Sequence, residues 1–565
     1  MKKLLSQFTA LVLFLSFQSI TVAQNFQWAN GIGGMDTDIG YGVAVDDTGN
    51  VYFTGYFQGT ADFDPSANTA FLNSPGVSSA YLAKYDADGN YLWAIKMGGM
   101  SSVNGKSVTI DGNGHIYVCG SFGGTADFDP SANTANLVSA GSNDMFLAKY
   151  NASGQYIWAI GLGGIGLDNA EAVVVDGENN VLITGYFSDS VDFDPSTSTT
   201  VLVSAGIYDM FIAKYNASGG FIWAISMEGE DFDMANDLKV DSMGNVFVTG
   251  FFKQAVDFDP SAATAVLSSA GGFDSFVAKY SSSGSFLWAK RIGGMNDISG
   301  NGLAVDNNGN VCVVGRFQGT AGFDFPSGTA SLTSQGSNDV FMAKYDALGD
   351  YLWAKSMGGT GSCHGNGIAL DASNNIYITG FFLGMADFDP SATNTQNLLS
   401  NGLVDVFIAK YDVSGNYIWA RNVGGVAADF SYNIALDHIG NVHITGFFQQ
   451  SADFNPSLTN SAILNSAGGN DIFIAKYSGS SMGVNMDMKV PKFSLFPNPT
   501  NDFLLLTDLP FVPSSIQIYN QNGQLIQHLK SIEERIDVAF LPTGLYVLVI
   551  TDPFGQESSA TFVKK

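Results

Sequence analysis

Seven evenly spaced tryptophans, four strand-length apolar runs in each interval, and a first run left without a blade of its own predict an all-β chain. Its main body is a seven-bladed β-propeller closed by the N-terminal strand. The tryptophans are Trp28, Trp93, Trp158, Trp223, Trp288, Trp353 and Trp419, spaced by 65 or 66 residues. In the first repeat the runs are Phe26 to Ile32 (W), Tyr41 to Asp46 (A), Val51 to Phe57 (B) and Tyr81 to Tyr85 (C).

Each run has a reason to be a strand. All are short and apolar with little alternation, as in sheets buried on both faces. Asp46-Asp-Thr-Gly-Asn50 between A and B, and Asp86-Ala-Asp-Gly-Asn90 between C and the next W, supply the positive φ of tight hairpins. No helical period separates the runs, so parallel crossovers are not expected. The repeats begin with a W run at Phe26 and end with a C run, Phe473 to Tyr477. Joining that first strand to the last sheet removes two open edges, whereas an open solenoid needs polar caps. The A–B and C–W turns then share one face. The B–C segment, about 20 residues long, lies on the other, which is the face expected to bind a ligand.

Composition narrows the class. A formal net charge of −28 argues against nucleic acid and anionic lipid as partners. The three cysteines, Cys119, Cys312 and Cys363, form neither a disulfide framework nor a metal spacing and read as buried small residues. Lys2 and Lys3, the apolar run Phe8 to Phe17 and Thr21-Val-Ala23 read as a secretory signal over residues 1–23. No later segment has the length and apolarity of a membrane span.

The repeats Gly42-Val-Ala-Val-Asp46, Gly49-Asn-Val-Tyr-Phe-Thr-Gly55, Ala83-Lys-Tyr-Asp86 and Gly89-Asn-Tyr-Leu-Trp93 resemble the SBBP-type bacterial β-propeller repeat. The resemblance covers roughly 25–478 and implies a seven-bladed propeller without a defined activity. After a Gly/Ser/Met-rich stretch the chain changes character. Phe496-Pro-Asn-Pro-Thr500, Ile518-Tyr-Asn-Gln-Asn-Gly523 and Leu541-Pro-Thr-Gly-Leu-Tyr546 resemble the C-terminal sorting domain of the type IX secretion system. That resemblance implies a small Ig-like β-sandwich, the secretion machinery as partner, and export to the cell surface or medium. The residues carrying its motif are Pro497, Asn498, Pro499, Gly544 and Tyr546. The expected organisation is signal peptide 1–23, propeller 24–478, linker 479–490 and sorting domain 491–565.

Candidate chemistry is sparse. The B–C segments carry Asp62-Phe-Asp-Pro65, with Asp62 and Asp64 as its carboxylates. The equivalents are Asp127 and Asp129, Asp192 and Asp194, Asp257 and Asp259, and Asp387 and Asp389. Paired carboxylates by a turn suit calcium, a cation that prefers oxygen ligands, and these ten residues are its candidate ligands. Repeat five reads Gly322-Phe-Asp-Phe325 and repeat seven Asp453-Phe-Asn-Pro456, so only the Phe persists throughout. That favours an aromatic anchor with an Asp turn over a set of metal sites, and no other cofactor is expected. Every C run carries Ala-Lys-Tyr, and every A run ends in Asp, as at Lys84 and Asp46; these read as structural ion pairs or turn caps. The histidines lack metal-ligand spacing, and no nucleophile elbow or P-loop is present.

No catalytic residue is assigned. The sequence favours an exported, non-enzymatic binding or display module with a polysaccharide or protein ligand. The competing expectation is an extracellular polysaccharide hydrolase or lyase using carboxylates on the long-loop face. An enzyme should break the repeat symmetry in one sector. The visible breaks, Glu228 to Asp233, Gly322 to Phe325 and Cys363-His364, fall in different repeats.

Overall fold

A computed structural model describes residues 26–457, 460–479, 494–507, 515–520, 525–529, 535–551 and 557–565. The expected signal peptide and nearly all of the expected linker lie outside them. All regular structure among the described residues is β. The chain divides into two compact units, Met1–Ser480 and Ser481–Lys565.

The first unit is built from antiparallel four-stranded sheets in the order A, B, C, W. In the first sheet these are Ile39–Val45, Val51–Phe57, Ser79–Tyr85 and Tyr91–Gly99, the W strand coming from the next repeat. The sheet that starts at Phe430–Leu436 contains Val442–Asp453 and Ile463–Tyr477, and its fourth strand is Phe26–Gly34. That strand pairs from Phe26 opposite Tyr477 to Ile32 opposite Ile472. Each A strand packs on the A strand of the next repeat, and Phe430–Leu436 packs on Ile39–Val45.

Hydrophobic cores fill the spaces between sheets. Tyr52 and Leu82 of the first sheet pack with Val108, Val118 and Phe146 of the second. Phe53 and Tyr81 pack with Ile472 and Ile474. B and C strands are therefore buried on both faces, which explains their unbroken apolar runs.

The tryptophan period is a contact between repeats. Trp28 donates its indole N–H to the Ala87 carbonyl at 3.1 Å, in the C–W turn of the next sheet. Gly89 of that turn has φ +86°, and a Cβ there would stand 2.7 Å from the indole. The turn thus needs glycine twice, for its backbone conformation and for ring clearance. Trp158, Trp223 and Trp288 donate in the same way to Ala217, Ser282 and Ala347.

The B–C segment, about 20 residues long, holds strands of its own. In repeat one it holds a hairpin of Thr60–Asp62 with Phe71–Asn73, and this hairpin pairs with the end of the preceding W strand, Gly33 opposite Asp62. Strands of three residues are too short to leave a periodic signal in sequence. The segment fastens neighbouring sheets instead of hanging free.

The second unit has a three-stranded sheet, Ser494–Phe496, Phe503–Thr507 and Arg535–Asp537, and a four-stranded sheet, Leu525–Leu529, Ser515–Asn520, Gly544–Thr551 and Glu557–Lys564. Leu504 and Ile536 from the first share a core with Ile516, Ile518 and Leu548 from the second.

Candidate functional site

The Asp-Phe-Asp carboxylates serve the backbone. Asp62 accepts the N–H groups of Asp64 at 3.1 Å and Ala70 at 2.7 Å, and Asp64 accepts that of Ser66 at 3.0 Å. Phe63 is fully buried, and the Tyr85 hydroxyl donates to its carbonyl. The other repeats copy this pattern. Asp127 accepts from Asp129 and Ala135, and Asp129 from Ser131. Asp192 accepts from Asp194 and Thr200, and Asp194 from Ser196. Asp257 accepts from Asp259 and Ala265, and Asp259 from Ser261. Asp387 accepts from Asp389 and Gln396, and Asp389 from Ser391. In repeat five, Asp324 accepts the Ala330 N–H in place of the missing first Asp.

The ten carboxylates each have a structural role within their own hairpin. Asp62, Asp127, Asp192, Asp257 and Asp387 each close a hairpin by accepting two backbone N–H groups. Asp64, Asp129, Asp194, Asp259 and Asp389 each accept the N–H two residues on, as an Asp turn does. The two carboxylates of a pair thus serve different N–H groups of their own hairpin. Among the described residues, no three His, Cys, Asp or Glu side chains gather as a metal site.

The repeated Asp and Lys meet on the tight-turn side. Lys214 lies 2.8 Å from Asp176 and Lys344 lies 3.1 Å from Asp306. Asp46 caps its own turn by accepting the N–H groups of Thr48 and Asn50. All three cysteines are buried and free, and burial pushes the Cys312 and Cys363 thiols up to about 12. A buried thiol held protonated is a poor nucleophile.

The structure reveals a site that the runs and motifs did not. In every A strand the ladder with B skips one residue, a β-bulge. The bulged residues are Tyr41, Lys106, Glu171, Asn236, Asn301, Asn366 and Tyr432, one per repeat. All seven line one cavity of about 680 Å³ that touches every A strand. A bulge re-aims a side chain that the pleat would otherwise place elsewhere. These side chains also bond to one another or across to the next strand. Lys106 lies 3.2 Å from Glu171 and its ammonium sits 4.8 Å from the Tyr41 ring centroid. The Tyr41 and Tyr432 rings are 5.0 Å apart. Asn236, Asn301 and Asn366 each donate to a carbonyl of the next A strand, at 2.8 to 2.9 Å.

A second variable level lies next to the bulges, where A and B residues pair across the ladder. Repeat six has His364 opposite Phe381, and repeat seven has Phe430 opposite Phe447. Repeat five has Ser299 opposite Arg316. An arc of rings results. His364 stacks on Phe381 at 4.4 Å, Phe381 meets Phe430 at 4.3 Å, and Phe430 stacks on Phe447 at 4.9 Å. Phe447 meets Tyr432 at 6.1 Å, and Tyr41 continues to Tyr56 at 6.1 Å. Most of these rings are half-buried. Burial first, then the Arg316 charge, push His364 down to about 4, so its ring is neutral. Burial also pushes the Tyr56 hydroxyl up to about 12.

One signal in sequence would have found this site. Superposing the repeats leaves most columns uniform, whereas the column that holds Tyr41 reads Tyr, Lys, Glu, Asn, Asn, Asn, Tyr. Of the symmetry breaks noted in sequence, Cys363-His364 lies at this level. Glu228 to Asp233 and Gly322 to Phe325 belong to other sheets.

In the second unit the motif residues hold the final strand. Asn498, between Pro497 and Pro499, accepts the Val563 N–H at 3.0 Å. Gly544 opens the strand Gly544–Thr551. Tyr546 donates to the Pro542 carbonyl at 2.9 Å and stacks on Phe562.

Comparison with known proteins gives two family matches. Residues 494–565 match the secretion system C-terminal sorting domain, and residues 287–316 match the SBBP β-propeller repeat. An uncharacterized WD repeat-containing protein of Acanthamoeba polyphaga mimivirus is 24% identical, across 78% of this chain and 37% of its own length. The regulatory protein FlaEY of Caulobacter vibrioides is 26% identical, across 66% of this chain and 40% of its own length. The chain thus spans about two fifths of the length of these curated relatives. Among solved structures, the WD40 domain of Neurospora crassa Pan2 is similar at 10% identity and a TM-score of 0.36, over 78% of this chain and 90% of that one. PorZ of the Porphyromonas gingivalis type IX secretion system is similar at 12% identity and a TM-score of 0.17, over 95% and 100%. No helix among the described residues is long and apolar enough to cross a membrane. The chain therefore carries an SBBP β-propeller repeat at 287–316 and a type IX C-terminal sorting domain at 494–565, and that domain directs it to the cell surface or to secretion.

Proposed function

We propose that the first unit is a seven-bladed propeller closed by Phe26–Gly34, that the second is an Ig-like sandwich, and that the protein is a non-enzymatic binding module whose ligand enters at the bulge-lined cavity. Closure is supported by the pairing of Phe26–Gly34 with Ile463–Tyr477 and by the packing of Phe430–Leu436 on Ile39–Val45. One observation carries the binding reading. The repeats are near copies, yet their side chains diverge where all seven A strands meet one cavity. A purely architectural position needs no such variety; a single asymmetric site does.

The charges favour binding over turnover. The carboxylates lining the cavity are Glu171 and Asp237, and each is ion-paired, to Lys106 at 3.2 Å and to Lys239 at 2.6 Å. A hydrolase needs one carboxyl as acid and a second as base or nucleophile on the reacting bond.

Titrating the exported protein with a panel of polysaccharides and peptides tests where the ligand sits. Tyr432→Ala at the cavity and Phe381→Ala in the adjoining arc of rings should each weaken binding by about tenfold or more. Asp88→Asn, on the exposed tight turn, should leave it unchanged. The reverse pattern would move the site to the other face.

A further inference from the structure

We propose, building on the binding-module reading, that the cavity takes a mostly neutral glycan bearing an isolated carboxylate, with Arg316 as the handle for that carboxylate and the adjoining rings as the platform for its sugars. In the column of Arg316 the other repeats carry Tyr56, Ser121, Tyr186, Phe251, Phe381 and Phe447, all uncharged. Arg316 lines the cavity and is half-buried. The other two cations lining that cavity are neutralised, Lys106 by Glu171 and Lys239 by Asp237. Arg316 has no hydrogen bond or ion pair to any of the described residues. In a chain with 52 acidic and 24 basic residues, an unpaired guanidinium inside a cavity departs from the general pattern. Partial burial strips it of water without supplying a counter-charge, and its planar fork matches a carboxylate in two parallel bonds.

The surroundings select the rest of the ligand. Ser299, opposite Arg316 on the ladder, donates to Asn301 at 2.7 Å, which places small polar groups at its side. Beyond it, neutral His364 stacked on Phe381 begins the aromatic arc. Aromatic faces carry negative potential and receive the C–H faces of pyranose rings, while amide oxygens accept from sugar hydroxyls. One cation in one sector suits one anion. A polyanionic polymer would meet the repulsion of a surface at −28.

The test uses the exported full chain and three probes: a xylo-oligosaccharide carrying one glucuronic acid, the same compound with its carboxyl reduced to the alcohol, and polygalacturonate. The acidic oligosaccharide should bind about tenfold or more tightly than its reduced form. Arg316→Gln should erase that difference, and Arg316→Lys should restore part of it. Thermal melting of both variants checks that they are folded. Tighter binding should weaken with salt in the wild type and not in Arg316→Gln. Equal binding of the acidic and reduced forms, a preference unaffected by Arg316→Gln, stronger binding of polygalacturonate, or no glycan binding would each overturn the inference. If the reduced form binds as well as the acidic one and Tyr432→Ala abolishes both, the cavity remains the binding site and only the anionic handle falls.

Discussion

Asp405 and Asp429 are buried carboxylates side by side, and the backbone N–H of Gly425 bonds to one of them. It donates to Asp429 at 2.7 Å, and the Asp405 Oδ1 is buried with no partner. A Cβ on neighbouring Gly424 would stand 2.8 Å from Asp405 Cγ and 2.9 Å from Asp429 Oδ2, so the two acids face one small space. Gly34 likewise donates to Asp38 beside Asp471, and Gly164 to Asp168 beside Asp144. Burial foremost, with the neighbouring Asp405 charge adding to it, pushes Asp429 up to about 6. Burial, with Asp209 adding, pushes Asp233 up to about 8. An acid whose folded value rises above 3.8 binds more protons folded than unfolded across the interval. Stability from these pairs is therefore complete below about pH 4 and is lost as the pH rises through 6 to 8. Melting temperature should fall between pH 5 and pH 8. Asp405→Asn, which places a donor beside Asp429, should raise it by roughly 2–4 °C at pH 8 and leave it nearly unchanged at pH 4.5. Equal effects at both pH values would contradict the account of paired buried carboxylates. These pairs form between a C strand and the A strand of the following repeat, so no local sequence motif announces them. The Asp-Phe-Asp pairs are the opposite case. Their spacing is plain in sequence, but whether Asp129, Asp194, Asp259 and Asp389 serve a cation or a turn depends on which N–H groups the hairpin brings to them.

At the scale of elements, the strands legible in sequence are those with long apolar runs and glycine turns. The Val51–Phe57 and Ser79–Tyr85 strands follow directly from such runs, because both faces are buried. The Thr60–Asp62 and Phe71–Asn73 strands do not, since they pair with each other and only Thr60–Asp62 pairs with a W strand of another sheet. The bulge at Tyr41 is equally silent in one repeat and emerges only when the seven are superposed. Phe26–Gly34 is the element on which closure depends. Removing residues 24–35 would leave one edge of Ile463–Tyr477 unpaired, with Val442–Asp453 still on the other, and uncover the core around Phe448 and Phe473. An open apolar edge invites pairing between molecules. The shortened protein should melt at a clearly lower temperature or aggregate, as read by calorimetry and light scattering. An unchanged melting temperature would contradict closure by this strand.

At the scale of the molecule, the sorting domain supplies the export route, and the first unit supplies the binding function proposed for it. Truncation after Gly483 should therefore leave the first unit in the periplasm of the native host. Surface protease accessibility checks this, and efficient display of the truncated protein would contradict it. The propeller reading is legible in the tryptophan period, whereas the cavity shows only as a variable column once the repeats are superposed, because its side chains converge from seven distant repeats. The most direct test of the central claim follows the fate of the ligand. The exported protein is incubated with its tightest-binding member of the polysaccharide and peptide panel, and the mixture is read by mass spectrometry over many hours. The account predicts that the ligand is recovered intact while bound at the cavity. Steady accumulation of a cleaved product, abolished by Glu171→Gln or Asp237→Asn, would contradict it.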